Sequence, residues 1–396
     1  MSKVLPLSVK PTAPTGSAGL NSVEEIVADF KAGRLVIIMD DEDRENEGDL
    51  IMAAELATPE AVAFMIRQAG GIICVPMEEN RLARLDLPQM VTSNSESHRT
   101  AFTVSVDLIA GTTTGVSSGD RAATIRALAD ARSEPRDFAR PGHIFPLRSR
   151  RGGVLVRTGH TEAAVDLCRL AGLQPAGVIC EVMNDDGTMA RRPQLEAFAR
   201  QHGLKIGTIA DLIRYRLRNE RSVERVREQP VQTELGEFTL YAYEDRVSQE
   251  MHLALTRGKL GGAEPPLVRV HVVDPLRDLL GIRADPMAWT LRAAMARIAH
   301  AGSGAIVILR DRESPGDLLE SVRSLATPGG ADIHPDAGTG TQGQRRDGEV
   351  LRTFGIGAQI LKDLGVRRMR VLSAPKQIHG ISAFGLEIDS YVGEAC

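Results

Sequence analysis

The chain has 396 residues, too many for one ordinary core, so two domains are the first expectation. Hydrophobic residues at 42% and charged residues at 25% give the balance of a globular protein, and a net charge of −4 (48 basic against 52 acidic residues) excludes a general pull toward nucleic acid or an anionic membrane. The four cysteines, Cys74, Cys168, Cys180 and Cys396, form no Cys-x-x-Cys pair, which argues against a disulfide framework and a thiolate zinc site and fits a cytoplasmic protein.

Residues 1–20 carry scattered Pro, Ser, Thr and Gly without an apolar core and read as a disordered tail, not a signal peptide. No apolar run approaches the roughly 18 residues of a membrane span. Ser22-Val23-Glu24-Glu25 has the form of a capping box and predicts a helix through Val23, Ile26, Val27 and Phe30 that stops at Gly33. Residues 35–39 are apolar and partly β-branched, as in a buried strand. Thr58-Pro59 opens a second helix that ends at Gly70-Gly71. Residues 72–75, 102–106, 154–156 and 177–183 read as strands and 161–170 as a helix. Residues 133–146 read as a loop because of Pro135, Pro141, Gly142 and Pro146, and 184–187 as a turn.

Thr208 opens a further helix. From Arg214 to Glu228 charge dominates, which predicts a solvated helical connector with a domain boundary near Ser222. Beyond it, 268–273, 305–309 and 369–372 are strand candidates, and 285–300 and 359–364 are helical. The irregular alternation predicts an α+β fold: an α/β layered domain over residues 21–222 and a second α/β domain over residues 223–396.

Seven carboxylates crowd the run Asp40-Asp41-Glu42-Asp43-Arg44-Glu45-Asn46-Glu47-Gly48-Asp49, directly after the first strand. Such crowding costs stability unless a cation or a basic group compensates. A solvated acidic loop is the bland alternative. The adjoining strand, Arg44 and the flexible Gly48 favour a site for a hard cation such as Mg²⁺. Arg157-Thr158-Gly159-His160-Thr161-Glu162 follows a strand and opens a helix, capped by Thr161 or the residue before it, so its free N–H groups and Arg157 suit a phosphate. His160 in that segment stands evenly between a structural side chain and a ligand. Taken alone, His143 within Arg140-Pro141-Gly142-His143 is more simply an ordinary histidine of a rigid loop. Glu181 lies in an apolar strand run, where burial raises a carboxylate pKa toward acid–base use; an ion pair at the strand end is the alternative.

Together with Phe102-Thr103-Val104-Ser105-Val106-Asp107, Thr113-Thr114-Gly115-Val116-Ser117, Asp120-Arg121, Arg140 to Pro146, and Pro175 to Arg191, these segments resemble the 3,4-dihydroxy-2-butanone 4-phosphate synthase family of riboflavin biosynthesis, in the family's order. The resemblance implies conversion of D-ribulose 5-phosphate to the butanone phosphate and formate. It implies Mg²⁺, or Mn²⁺, on Glu45 and His160, and acid–base work by His143 and Glu181. It implies substrate contacts from Arg44, Glu45, Asp49, Arg157, Thr158, Gly159, His160, Thr161 and Glu181. It also implies a homodimer whose active sites are shared between subunits. Arg99 and Thr158 depart from the family pattern close to the site.

Residues 223–396 resemble GTP cyclohydrolase II in degenerate form, through Leu267-Val268-Arg269-Val270-His271 and Phe354-Gly355-Ile356-Gly357-Ala358-Gln359-Ile360-Leu361. Where that family places three zinc-binding cysteines, this chain has Asp274, Asp285 and Met287, and Asp311-Arg312-Glu313-Ser314-Pro315-Gly316 replaces the catalytic arginine segment. No zinc and no GTP hydrolysis are expected. The rival readings are a bifunctional enzyme that also hydrolyses GTP, and a non-catalytic scaffold.

Overall fold

The computed structural model describes residues 19–262, 264–282, 289–310, 319, 322–323, 347–373 and 384–393. The chain separates into two compact units, Met1–Leu212 and Ile213–Cys396.

The first unit opens with α1 (Val23–Lys31). Ser22 and Glu25 form the capping box read from the sequence, each side chain satisfying the other's backbone N–H. Then follow β1 (Val36–Met39), β2 (Gly48–Ala53) and α2 (Pro59–Phe64), capped by Thr58 and prolonged by one wide turn, Met65–Ala69, to a left-handed Gly70. The remainder is β3 (Cys74–Met77), α3 (Glu79–Arg84), β4 (Val106–Leu108), α4 (Ser118–Ala129), β5 (Phe138–Arg148), α5 (His160–Ala171), β6 (Gly177–Glu181), α6 (Arg192–His202), β7 (Lys205–Thr208) and the start of α7 (Ile209–Asn219), which passes into the second unit after Leu212.

The seven strands form one mixed sheet in the order β4-β5-β3-β6-β2-β1-β7. Every residue of β1 and β2 is buried because helices cover both faces, which is why β1 reads as a continuous apolar run; β2 is apolar from Leu50 on but buries Asp49. Side chains of α2, α4 and α6 meet one face in a single core with Ile37, Leu50, Met52, Val75 and Val178. The helices α1 and α5 pack on the other.

Several expectations are corrected. Residues 133–146 are a loop only to Asp137; from Phe138 they belong to β5, paired parallel to β3 and antiparallel to β4. Residues 154–156 are no strand but part of a single tight turn, Gly153–Leu155, held by a bond from the Val154 N–H to Asp166 Oδ2 at 2.8 Å. Within 102–106 only isolated bridges form, and the strand begins at Val106. Helix α5 is capped by Gly159, not by Thr161 or His160. Leu20, assigned to the tail, packs against the core, while residues 1–18 lie outside the described residues.

The second unit holds β8 (Val223–Thr233), β9 (Gly236–Asp245), β10 (Glu250–Arg257), β11 (Leu267–Val272), α8 (Pro275–Asp278), α9 (Leu291–Ala301), β12 (Gly304–Leu309), α10 (Asp347–Asp363), β13 (Arg368–Leu372) and β14 (Glu387–Val392). Its sheet order is β14-β13-β11-β12-β10-β9-β8, parallel from β14 to β12 and antiparallel from there to β8. The helical connector expected up to Glu228 ends at Asn219, and Val223 to Glu228 belong to edge strand β8.

Candidate active site

The acidic run becomes the connection from β1 to β2, whose antiparallel register pairs Ile38 with Asp49 and Met39 with Gly48. Asp40 organises it. Its Oδ1 accepts from the Glu47 N–H at 2.8 Å; its Oδ2 accepts from the Glu45 N–H at 3.1 Å and from Arg44 Nη1 at 2.8 Å. Arg191, at the start of α6, donates to the Glu45 carbonyl at 2.6 Å and to the Asn46 carbonyl. The run is therefore a loop with a built frame, whose tip at Glu42 and Asp43 is solvated.

Arg44 is the basic group that the crowded carboxylates require. It forks onto both Glu45 oxygens at 2.9 and 2.8 Å, with its side chain 5% exposed. Those bonds and the one to Asp40 use three of the five guanidinium N–H donors.

His160 stands at the first turn of α5, buried. Its Nε2 lies 3.1 Å from the Ile38 carbonyl. A carbonyl only accepts, so Nε2 carries the proton and Nδ1 is the nitrogen left for a ligand. Nδ1 lies 3.7 Å from Glu45 Oε2 and 3.7 Å from Asp49 Oδ1. Asp49 Oδ1 is buried and has no hydrogen-bond partner, an arrangement that costs free energy unless something else satisfies it. Asp40, Glu45 and His160 can bring ligand atoms within 4.8 Å of one another, though Asp40 already spends both oxygens on the loop.

Electrostatics mark the same cluster. Burial pushes the Asp49 carboxyl up to about 8, against the pull of His160. Burial also works against a charged His160, but Asp49, Glu45 and Asp40 outweigh it and hold the imidazole at about 9. Burial opposes the charge on Glu45 as well; His160, Arg44 and His98 together bring it to about 2.

Glu181 ends β6 directly opposite Asp49 of β2. Two carboxylates facing each other across strands are unfavourable and cost stability unless something compensates them. Glu181 is half-buried, its Oε2 accepts from the Ile72 N–H at 2.8 Å, and no ion pair to it exists among the described residues. This position depends on Gly71: a Cβ there would lie 2.4 Å from Glu181 Oε2 and 2.6 Å from its carbonyl oxygen.

Arg157 precedes α5. Its Nη1 donates to the buried Glu162 at 2.7 Å, and its Nη2 to the His98 carbonyl and the Thr100 hydroxyl, each at 3.2 Å. It therefore holds the 98–100 segment beside the cluster, where His98 Nδ1 comes 3.8 Å from Glu45 Oε1. Thr158 is half-buried, and Gly159 and Thr161 are buried at the mouth of α5.

His143 is the exception. It sits on β5, two strands from β6 and three from β2, roughly 10 and 14 Å away at about 4.8 Å per strand. Its Nδ1 lies 2.6 Å from Asp107 Oδ2. Within one chain, then, Arg44, Glu45, Asp49, His160 and Glu181 are brought together and His143 is not. Asp40, His98, Asp107 and Arg191 were not singled out from the sequence. Only Asp40 had a local signal there, a carboxylate placed to accept from the backbone a few residues on.

In the second unit, Asp274 caps α8, accepting from the Leu276 and Arg277 N–H groups. Asp285, Met287, residues 311–316 and Cys396 lie outside the described residues.

The family model described as 3,4-dihydroxy-2-butanone 4-phosphate synthase matches residues 24–215, and that described as GTP cyclohydrolase II matches residues 224–393. A 3,4-dihydroxy-2-butanone 4-phosphate synthase of Pseudomonas aeruginosa is 53% identical over 374 residues, covering 94% of this chain and 99% of that protein. The riboflavin biosynthesis protein RibBA of Salinispora arenicola is 47% identical over 371 residues, covering 93% and 87%. The crystal structure of a two-domain 3,4-dihydroxy-2-butanone 4-phosphate synthase from A. baumannii superposes with a TM-score of 0.78 at 42% identity, covering 94% of this chain and 99% of that one.

Proposed function

The chain belongs to the 3,4-dihydroxy-2-butanone 4-phosphate synthase family, joined to a domain of the GTP cyclohydrolase II family, and from that premise we propose how the site works. It is a lyase of riboflavin biosynthesis. The substrate is D-ribulose 5-phosphate, split into 3,4-dihydroxy-2-butanone 4-phosphate and formate without an external oxidant or reductant. The observation that carries the reading is His160 Nδ1 standing 3.7 Å from Glu45 Oε2 and 3.7 Å from the unsatisfied Asp49 Oδ1.

That donor set, two carboxylates and an imidazole with its other nitrogen anchored, fits Mg²⁺ or Mn²⁺, with Glu45 and His160 as the protein ligands. When bound, the cation supplies charge that lowers the cost of making the ketose oxygens anionic. The chain's own groups do the rest. Arg157, Thr158, Gly159 and Thr161, at the positive end of α5, receive the phosphate. Asp49 and Arg44 contact the sugar, Arg44 through the N–H donors that Asp40 and Glu45 leave unused. Glu181 uses the oxygen not held by Ile72 to take and return protons. His143 is the second acid–base group. Its place on β5, apart from β2 and β6, supports a homodimer in which a second copy of the chain completes each site. A cytoplasmic enzyme acting on soluble metabolites is consistent with this; no helix among the described residues is long and apolar enough to cross a membrane. We keep the domain boundary near Ser222.

The deciding assay is formate release from ribulose 5-phosphate in the presence of Mg²⁺. Release that stops with EDTA and returns with added Mg²⁺ supports the reading; EDTA-resistant release refutes the cation's role, and no release refutes the activity.

A bifunctional reading is disfavoured. From Ile213 to Cys396 the sequence contains one cysteine, Cys396, and the described member of the zinc register, Asp274, is engaged in capping α8. The purified protein is expected to release no formate from GTP and to carry no stoichiometric zinc; GTP turnover accompanied by bound zinc would overturn this.

A further inference from the structure

We propose that Asp107 is a positioning residue that sets the tautomer of His143, so that the histidine presents an unprotonated nitrogen as its outer, reactive one. The proposal rests on the acid–base role given to His143 above.

Both oxygens of Asp107 are used on one residue. Oδ1 accepts from the His143 backbone N–H at 2.9 Å, and Oδ2 lies 2.6 Å from His143 Nδ1. A carboxylate only accepts, so the ring proton sits on Nδ1 and the lone pair is left on Nε2. The Asp107 side chain is 13% exposed and that of His143 46% exposed. His143 has no other side-chain partner among the described residues.

The surrounding backbone is shaped to allow this contact. The register between β4 and β5 slips at Val106/Asp107: Val106 pairs with Ile144, whereas Asp107 pairs with Ala139. The extra residues 140–143 bulge from β5, and such a bulge re-aims a side chain. The Gly142 N–H donates to Ser105 Oγ at 3.2 Å, fixing the bulge beside Asp107. Gly115, at φ +82°, passes so close that a Cβ would stand 2.1 Å from Asp107 Oδ2. The loop before α4 thus makes room for this carboxylate and walls it in.

Asparagine at position 107 separates shape from chemistry. The His143 backbone N–H must keep an acceptor, so the amide oxygen takes the Oδ1 position and the amide nitrogen faces Nδ1. That nitrogen can only donate, which forces the ring proton onto Nε2 and blunts His143 as a base.

The test has two readouts. Two-bond ¹H–¹⁵N spectra of the wild-type protein are expected to show the His143 proton on Nδ1, and spectra of D107N to show it on Nε2. Kinetics of formate release are expected to give D107N a kcat lower on the order of 10²-fold, the usual size of an acid–base contribution, with KM changed by less than about twofold. A wild-type proton on Nε2 overturns the proposal even if D107N fails to fold. So does a D107N enzyme with full kcat alongside an inactive H143A. Full activity in H143A would instead remove the acid–base role of His143 on which the proposal rests, while the tautomer spectra still report on the Asp107 contact itself.

Discussion

Glu45→Ala and His160→Ala are each expected to reduce formate release by about 10³-fold or more, because a bound cation contributes several kcal/mol of charge stabilisation and each 1.4 kcal/mol is a factor of ten. The two variants should reach this loss by different routes. Glu45→Ala removes an oxygen ligand and frees the Arg44 fork, but leaves the buried wall of α5 intact. His160→Ala removes the nitrogen ligand and also the bond from Nε2 to the Ile38 carbonyl, at a stability cost of about 1 kcal/mol plus that of the cavity. Circular dichroism melts should therefore show little change for Glu45→Ala and a clear drop for His160→Ala. Wild-type formate release from either folded variant would remove the site assignment.

Mixing two dead chains is expected to restore activity. A Glu45→Ala chain lacks the cation ligand, and a His143→Ala chain lacks the acid–base group that stands three strands away on β5. If each site takes His143 from one subunit and Glu45 from the other, half of randomly assorted dimers are heterodimers, and each has one intact site of two. Co-refolded or co-expressed mixtures should then recover about one quarter of wild-type activity. Recovery fails if both residues act within one chain, so silence in the mixture, with both chains folded and dimeric, rejects the shared site.

What could be read from the sequence was local. The Ser22/Glu25 capping box, the Thr58 cap and the buried run into β1 depend on neighbours within a few residues, and the structure forms them where they were expected. The misread segments depend on distant partners. Residues 133–146 look like a loop because of their prolines, yet from Phe138 on they form a strand paired with β3 and β4 that no local pattern announces. Residues 154–156 look like strand by composition, but Asp166, twelve residues on, bends them into a turn. The charged stretch from Val223 suggested a solvated helix because β8 is an edge strand, exposed along most of its length. Charge on such an edge discourages pairing with other chains.

The candidate site divides in the same way. Glu45, Asp49 and His160 stood out as an acidic run and a histidine at a helix start, and folding brings them together. The supporting contacts did not stand out. Arg191 reaches the loop from α6, and Asp107 reaches His143 across a slipped register; neither spacing exists in the linear chain. Glu181 was legible as a carboxylate in an apolar run, but its opposition to Asp49 follows only from the pairing of β2 with β6.

The burial of α5 has a further consequence, for time scale. Residues 160–168 are all buried, so the amides of α5 that are bonded within the helix exchange only when that helix unfolds. The loop that carries Glu45 is half-exposed and held mainly by side-chain bonds, and it can open on its own. In the reading proposed above, the cation would be held by one group on the buried part of α5 and by another on a half-exposed loop.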